Sequence, residues 1–415
     1  MFSPVRSRTE SATLFAHPGD DWLTPLTPAG DHSHSVRLER VPADPTVITD
    51  AAARAQARTG VPVAAPRISA IDGLRGLAVV AVMAMHLFEK WLPGGFLGVD
   101  LFFVISGFII TDRLLKEHRR TGRIAIGQFY LRRAKRLGPA LIALVIVVLT
   151  LGRIIGDRWM SLPTQRADAV ATLLSGMNWW KAMGGGGQSY LGHTWSLSLE
   201  EQFYLLWPGA LLLLISGRAR MRAPVMLVAA IVACTVWRAW LAWHGAGLWR
   251  VYGGLDTRAD ALLIGCLVAM VGTAASPRRL LDAWAVPAVV LLAMALTIRL
   301  GAPVMAWGGY TVAALCSGWL LAAAVENRGV LRRWLTLPLL QWIGLRSYGL
   351  YLWHVPALGL GRLLDLHWRY VALFIVVLAA GMAELSYRFL ENGPLTQRRS
   401  PRRFGVEGAL ASASS

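Results

Sequence analysis

Charged residues are scarce in this sequence. Only 16% of its 415 residues are Asp, Glu, Lys or Arg, against about 25% in soluble domains. Hydrophobic residues make up 55% of the chain, and the mean hydropathy is +0.47. This composition excludes an ordinary soluble enzyme and points to a membrane protein.

Cysteine is scarce as well. The three cysteines, Cys234, Cys266 and Cys316, all fall inside apolar runs, with no paired spacing and no neighbouring set of histidines. The pattern therefore indicates neither a disulfide framework nor a metal site. The short alternating segments of a membrane β-barrel are also missing.

Long apolar runs fill the chain from Ile71 almost to its end, and each could cross the hydrocarbon core as a helix. We therefore predict an all-α, polytopic membrane protein with about ten transmembrane helices. The predicted spans lie near 71–88, 95–115, 137–156, 197–217, 223–244, 255–273, 284–300, 303–325, 338–360 and 368–390.

Positive charge is in excess, with 42 Lys and Arg against 24 Asp and Glu, a net charge of +18. Such an excess can indicate nucleic-acid binding, but here the basic residues cluster in every second loop, beginning with the loop after the second span. Because basic loops stay in the cytoplasm, this placement predicts that both termini are cytoplasmic. We expect the lipid bilayer as a partner and no nucleic acid.

The two ends of the chain differ from the rest. Residues 1–66 contain eight of the twenty prolines and mixed charges, and residues 395–415 are basic and rich in serine. We predict disordered tails at both ends, the first one cytoplasmic, around a membrane domain at 67–394. The alternative for residues 1–66 is a non-functional extension from an upstream start codon.

The first span, IDGLRGLAVVAVMAMHLF, contains Asp72, Arg75 and His86. Ionisable side chains inside a membrane indicate function by default. Arg75 and His86 are eleven residues apart, so on a helix they share one face, roughly 16 Å apart along the axis. A neutral histidine there can act as a general base. The alternative is a packing histidine bonded to another helix.

Polar residues in the next two spans give two further candidates. Asp100 lies among aromatic residues, and the neighbouring Ser106 lacks the sequence context of a nucleophile, which favours a role in helix packing. Arg133 and Arg136 are three residues apart at the start of the third span, so their guanidinium groups can bind phosphates together. The alternative for these arginines is purely topological charge.

Three later segments bring polar groups into the spans. His193, Glu200 and Glu201 crowd a span entrance at the outer face, where two adjacent carboxylates could bind sugar hydroxyls or mark the interface. The other candidates for an acceptor-binding or structural polar site are Asp256, Arg258, Asp260, Ser347, Tyr348 and His354. The two acids beside Arg258 predict a buried ion pair with another helix.

Together these motifs resemble the acyltransferase family 3 membrane O-acyltransferases of bacteria. The matching segments occur in family order: IDGLRGLAVVAVMAMH, GGFLGVDLFFVISGFII, FYLRRAKRLGP, HTWSLSLEEQFY, DTRADALLIG and RSYGLYLWHVP. The resemblance implies a multi-pass protein of the bacterial cytoplasmic membrane that transfers an acyl group, most simply acetyl, from cytoplasmic acyl-coenzyme A to a hydroxyl of a carbohydrate or glycosylated acceptor.

The resemblance also implies roles for four residues. Arg75 and His86 would belong to the reaction centre, and Arg133 and Arg136 would hold the acyl-coenzyme A, a co-substrate rather than a bound cofactor. His86 would either deprotonate the acceptor hydroxyl or carry the acyl group itself. Only about 25 residues follow Glu391, so we expect no appended SGNH-type hydrolase domain.

Two other classes of function remain open from the sequence. A transporter that exports a lipid-linked or glycosylated product would also suit ten spans with scattered charge, although the paired repeats of many carriers are not visible. A membrane sensor or scaffold would use the arginine clusters to bind lipid headgroups and would not need His86.

Overall fold

The structure is a computed structural model that describes residues 69–391, apart from 157–158, 160, 187–189, 218, 273–277, 327–328 and 365–366. Within these ranges the chain is helical, and no β-strand occurs. The predicted tails at 1–66 and 395–415 lie outside the described residues.

The first eight helices carry most of the polar candidates. They are α1 (Ser69–Leu87), α2 (Leu97–Thr121), α3 (Ile126–Ile155), α4 (Leu162–Leu173), α5 (Met177–Ala182), α6 (Trp195–Ile215), α7 (Ala219–Trp243) and α8 (Leu248–Gly253).

The remaining helices complete the bundle. They are α9 (Leu255–Val271), α10 (Arg278–Asp282), α11 (Ala285–Thr297), α12 (Tyr310–Glu326), α13 (Val330–Leu335), α14 (Pro338–Leu345), α15 (Ser347–Arg362) and α16 (Trp368–Leu385). One π-helical turn, Met305–Gly309, leads into α12, and another, Ser386–Glu391, follows α16.

Six helical segments in the described part of the chain are long and apolar enough to cross a membrane, which makes this a multi-pass membrane protein. They are Ser69–Leu87, Ile126–Ile155, Arg220–Trp243, Arg278–Thr297, Met305–Glu326 and Trp368–Glu391. Helices also occupy the other four predicted spans, but they are shorter or more polar. The count of ten spans and the side of each terminus stay predictions.

The expectation of one continuous span over 338–360 is wrong. The helix is broken at Arg346, between α14 and α15. The Arg346 guanidinium forms an ion pair with Glu384 of α16 and lies against the rings of Trp342 and Tyr387. A charge within the bundle needs such partners, and the helix break places the Arg346 guanidinium beside them.

The centre of the bundle is the contact between α2 and α9. A Cβ atom on Gly107 would overlap the carbonyl oxygen of Leu262, and one on Gly265 would overlap that of Val104. Glycine at both positions therefore lets the two backbones meet directly, as small residues do in membrane helix pairs.

Two buried ion pairs lie beside this contact. Arg258 of α9 donates to Asp100 of α2 at 2.6 Å, and Arg238 of α7 donates to Asp260 of α9 at 2.8 Å, with all four side chains 0% exposed. The Arg258 guanidinium also lies 4.0 Å from the centre of the Tyr310 ring. The prediction that Arg258 pairs with another helix is confirmed, and the pairs tie α2, α7 and α9 together.

We predict that Asp100→Asn destabilises the folded protein by about 3–5 kcal/mol, because it leaves the buried Arg258 charge without its partner. Thermal unfolding in detergent, followed by loss of the monodisperse species, measures this. The control is Asp112→Asn, which breaks the exposed pair with Lys116 and should cost about 0.5 kcal/mol or less. Equal stability of the two variants would contradict the structural role of the buried pair.

Candidate active site

A cavity of about 230 Å³ lies between α2, α3, α6 and the start of α15, with Arg75 of α1 in its wall. Much of its lining is apolar, including Phe102, Ile109 and Leu197, and the rest consists of arginines, carboxylates and hydroxyl groups. Such a lining suits a ligand that combines an apolar part with charged groups.

Arginines form the outer part of this cavity. Arg113, Arg132 and Arg136 are exposed, and Arg75 and Arg133 lie half-buried further in. The predicted pairing of Arg133 and Arg136 on one helix face therefore places both on the same cavity, together with Arg75. Five guanidinium groups around one opening favour an anionic ligand with several phosphates.

The carboxylates of α6 lie among these arginines. Glu201 accepts a hydrogen bond from Arg133 Nε at 3.3 Å, and Glu200 accepts one from Ser106 Oγ at 2.6 Å. The Arg133 guanidinium also lies 3.2 Å from the centre of the Tyr204 ring.

This geometry corrects two expectations. Glu200 and Glu201 do not lie at the face opposite the basic loop, because they reach the arginines of α3. Ser106 does not serve helix packing alone, because it lines the cavity and donates to a carboxylate there.

The helix break at Arg346 turns the N-terminus of α15 towards the cavity. Ser347 and Tyr348, the first residues of α15, are part of the lining, and the Tyr348 hydroxyl donates to the carbonyl of Leu137 at 2.9 Å. Ser347 is 0% exposed, and its hydroxyl has no hydrogen-bond partner among the described residues. A helix N-terminus adds partial positive charge to the arginine-lined site.

The inner end of the cavity is polar and fully buried. Ser196 and Tyr351 line it, and their hydroxyl oxygens are 2.6 Å apart. The Tyr351 hydroxyl also donates to the backbone carbonyl of His193 at 2.9 Å. On its other side the Tyr351 ring meets the rings of His193 and His354, with centroids 5.6 and 5.5 Å away.

Three histidines form a cluster behind Tyr351. The ring centroids of His86 and His354 are 5.1 Å apart, and those of His354 and His193 are 5.4 Å apart. Their contacts are not those of a metal centre, since no group of three ligating side chains in the described ranges is arranged to hold an ion.

Backbone carbonyls fix the tautomer of each ring in this cluster. His86 Nδ1 lies 2.9 Å from the carbonyl of Val82, His354 Nδ1 lies 2.7 Å from that of Tyr351, and His193 Nε2 lies 3.0 Å from that of Leu352. Because a carbonyl only accepts, these nitrogens carry the hydrogen and the other nitrogen of each ring keeps its lone pair. Burial lowers the pKa of His193, which lies outside the membrane-spanning helices, to about 3, so this ring is neutral at pH 7.

His86 itself does not line the cavity. It lies in the last turn of α1 and is exposed on the far side of the histidine cluster. Arg75 and His86 nevertheless share one helix face, as predicted, since Arg75 lines the cavity with Ser347 while His86 packs on His354 of the same helix.

The remaining candidates lie elsewhere. Asp100, Arg258 and Asp260 belong to the buried ion pairs and do not line the cavity. Asp256 was expected inside the sixth span, but it lies in the first turn of α9, exposed, where it pairs with Arg250 at 2.5 Å. Its position at the helix N-terminus explains the difference, because an acid is stabilised there and reaches water.

Arg238 is a polar core residue that the sequence reasoning missed. It lies fully buried in α7 and donates to Asp260 and to the hydroxyl of Thr311. The signal was present, since a lone arginine in the apolar run CTVWRAWLAW calls for a partner within the bundle.

The chain belongs to the acyltransferase family 3: the acyltransferase domain of this family matches residues 68–383. The chain is 34% identical over 349 residues to the peptidoglycan O-acetyltransferase OatA of Listeria monocytogenes, which covers 78% of this chain and 55% of that protein. It is 34% identical over 344 residues to the O-acetyltransferase OatA of Staphylococcus aureus, covering 77% of this chain and 56% of the relative.

The match has a defined extent. The chain spans about half the length of the curated relatives it matches. No solved structure matches the chain.

Proposed function

We propose that the protein is a membrane O-acetyltransferase that moves an acetyl group from acetyl-coenzyme A to a hydroxyl of a carbohydrate, with the glycan of peptidoglycan as the acceptor. The arginine-lined cavity that ends at Tyr351 beside the histidine cluster carries this proposal. The names of the two relatives support the acetyl group, and that of the Listeria protein supports the acceptor.

The charge and the apolar lining of the cavity support this donor. Coenzyme A carries phosphates on its nucleotide and a long uncharged pantetheine arm that ends in the thioester. The exposed arginines and the N-terminus of α15 suit the phosphates, and the apolar wall suits the arm. The thioester would then lie at the inner end, beside Ser196 and Tyr351.

His86 is the proposed general base. With Nδ1–H bound to the Val82 carbonyl, its Nε2 lone pair can take the proton of the acceptor hydroxyl while the hydroxyl oxygen attacks the thioester carbon. The new C–O bond replaces the C–S bond, and the coenzyme A thiolate takes up the proton from His86. Tyr351 separates the cavity from the cluster, and His86 packs on the ring of His354 behind it. This transfer therefore requires the side chains of Tyr351 and His354 to rotate away when the donor binds.

The two substrates would approach from different sides. The donor would enter through the arginines, on the side that the loop charges predict to be cytoplasmic. The acceptor meets the exposed side of His86, where Phe88 and Trp368 pack edge to face at 6.3 Å and Trp91 is 80% exposed. A protein of the bacterial cytoplasmic membrane would in this way acetylate a glycan from a cytoplasmic donor.

We predict that purified parent protein in nanodiscs releases thiol from acetyl-coenzyme A when glycan is added, and that His86→Ala lowers this rate by about 10²–10⁴-fold, the usual contribution of a general base. A thiol-reactive dye measures the release, and mass spectrometry of the glycan detects the acetyl ester.

The matched control for this experiment is His244→Ala. His244 is exposed, and its Nδ1 lies 2.8 Å from the carbonyl four residues earlier, as in His86. The His244→Ala variant should transfer acetyl at the rate of the parent protein. If folded His86→Ala transferred acetyl at an unchanged rate, His86 would not be the general base. If the parent released no thiol from any acyl-coenzyme A while transporting glycan, the transporter alternative would replace the proposal.

Arg136 provides a separate test of donor binding. We predict that Arg136→Gln raises the KM for acetyl-coenzyme A by about tenfold or more, because a charge-assisted hydrogen bond to phosphate is lost. The KM for acetyl-pantetheine, which has no nucleotide phosphates, should not change. Exposed Arg119, changed to Gln, is the control and should leave both values at the parent level. An equal rise for both donors would contradict a phosphate-binding role.

A further inference from the structure

A second pocket lies on the outside of the bundle, away from the proposed active site. Its volume is about 410 Å³, and every side chain that lines it is apolar. It is formed by α1, α11, α12, α13 and α14. Four of its lining residues are exposed: Trp334 by 63%, Leu339 by 71%, and Leu77 and Leu337 by 45% each. The pocket is therefore open to the surroundings of the protein.

Two pairs of arginines lie next to, or shortly before, lining residues of this pocket in the sequence. Arg332 and Arg333 are exposed and stand between two lining residues, Leu331 and Trp334, in the short helix α13. None of the carboxylates that the structure describes forms an ion pair with either arginine.

The second pair, Arg278 and Arg279, is also exposed and lies at the start of α10, shortly before the lining residue Trp284. The indole of Trp319 donates to the carbonyl of Leu280 at 2.7 Å, which ties α10 to α12. This short helix has two arginines and one acid, Asp282, so its net charge is positive.

We propose that this pocket is a binding site for an anionic phospholipid, with an acyl chain in the apolar pocket and the phosphate headgroup between the arginine pairs. In a bilayer an acyl chain gains little by leaving other lipid for an apolar pocket, so the pocket alone would not select a lipid. Selection comes from the headgroup, and each arginine near it favours an anionic lipid about fivefold over a zwitterionic one.

The site also contacts the helix that carries the proposed active-site residues. Leu74 and Leu77 line the pocket and flank Arg75, whose side chain lies in the cavity wall. A bound acyl chain would therefore pack against the opposite side of α1 and support it there.

Lipid retention measures this site independently of any transfer activity. The full chain is reconstituted in nanodiscs that contain equal parts of phosphatidylglycerol and phosphatidylcholine, released into mild detergent and weighed by native mass spectrometry. The proposal predicts one retained phosphatidylglycerol per protein, in clear excess over phosphatidylcholine.

Two changes, each with a control, test the headgroup contact and the acyl-chain contact separately. Arg332→Gln with Arg333→Gln should reduce the preference for phosphatidylglycerol by about tenfold or more, whereas the exposed pair Arg119→Gln with Arg120→Gln should not. Ala288→Phe, which fills the pocket, should abolish retention of the lipid. Its neighbour Val289, 63% exposed and outside the lining, gives the control Val289→Phe.

The proposal would be overturned if the parent retained no lipid, retained both lipids equally, or appeared as a protein dimer in place of the lipid-bound monomer. It would also be overturned if the control pair lost the preference for phosphatidylglycerol as much as Arg332→Gln with Arg333→Gln does. If Ala288→Phe does not fold, the arginine variants decide the question, because their side chains are exposed and their replacement leaves the apolar core intact.

Discussion

The close contact of α2 with α9 determines where the buried ion pair and one wall of the cavity lie. Glycines at 107 and 265 bring the two backbones together, and the buried Asp100–Arg258 pair fixes their register. The opposite side of α2 forms much of the cavity wall, including Ser106. Because a buried charge cannot leave its partner without a large cost, this contact holds the cavity wall in place while ligands enter and leave.

The bundle separates two chemical environments along α15. Ser347 at its start faces the arginines, and His354 two turns later belongs to the histidine cluster. Tyr351 lies between them in the helix: its hydroxyl contacts Ser196 in the cavity lining, and its ring contacts His354. A donor thioester and an acceptor hydroxyl could therefore bind on opposite sides of the Tyr351 side chain. This arrangement would limit hydrolysis of the thioester by water.

Much of this organisation could be predicted from the sequence, because ionisable residues in apolar runs mark functional or paired positions. The pairing of Arg258 with another helix followed from that rule, and the shared face of Arg75 and His86 followed from their eleven-residue spacing on a helix. The location of Glu200 could not be predicted, since helix crossings decide which carboxylate meets which arginine. The break at Arg346 also depends on a tertiary partner, Glu384, and a local apolar pattern does not reveal it.

In the proposed function the arginine-lined cavity holds the acyl donor with its thioester towards the histidine cluster. A cryo-electron microscopy structure of the full chain in nanodiscs, with a thioether analogue of acetyl-coenzyme A that cannot transfer its acyl group, tests this most directly. We expect phosphate density beside Arg132 and Arg136 and the acyl end beside Ser196, with the Tyr351 side chain moved out of its contact with His354. An analogue bound outside the cavity, or with its acyl end at the arginines, would contradict it.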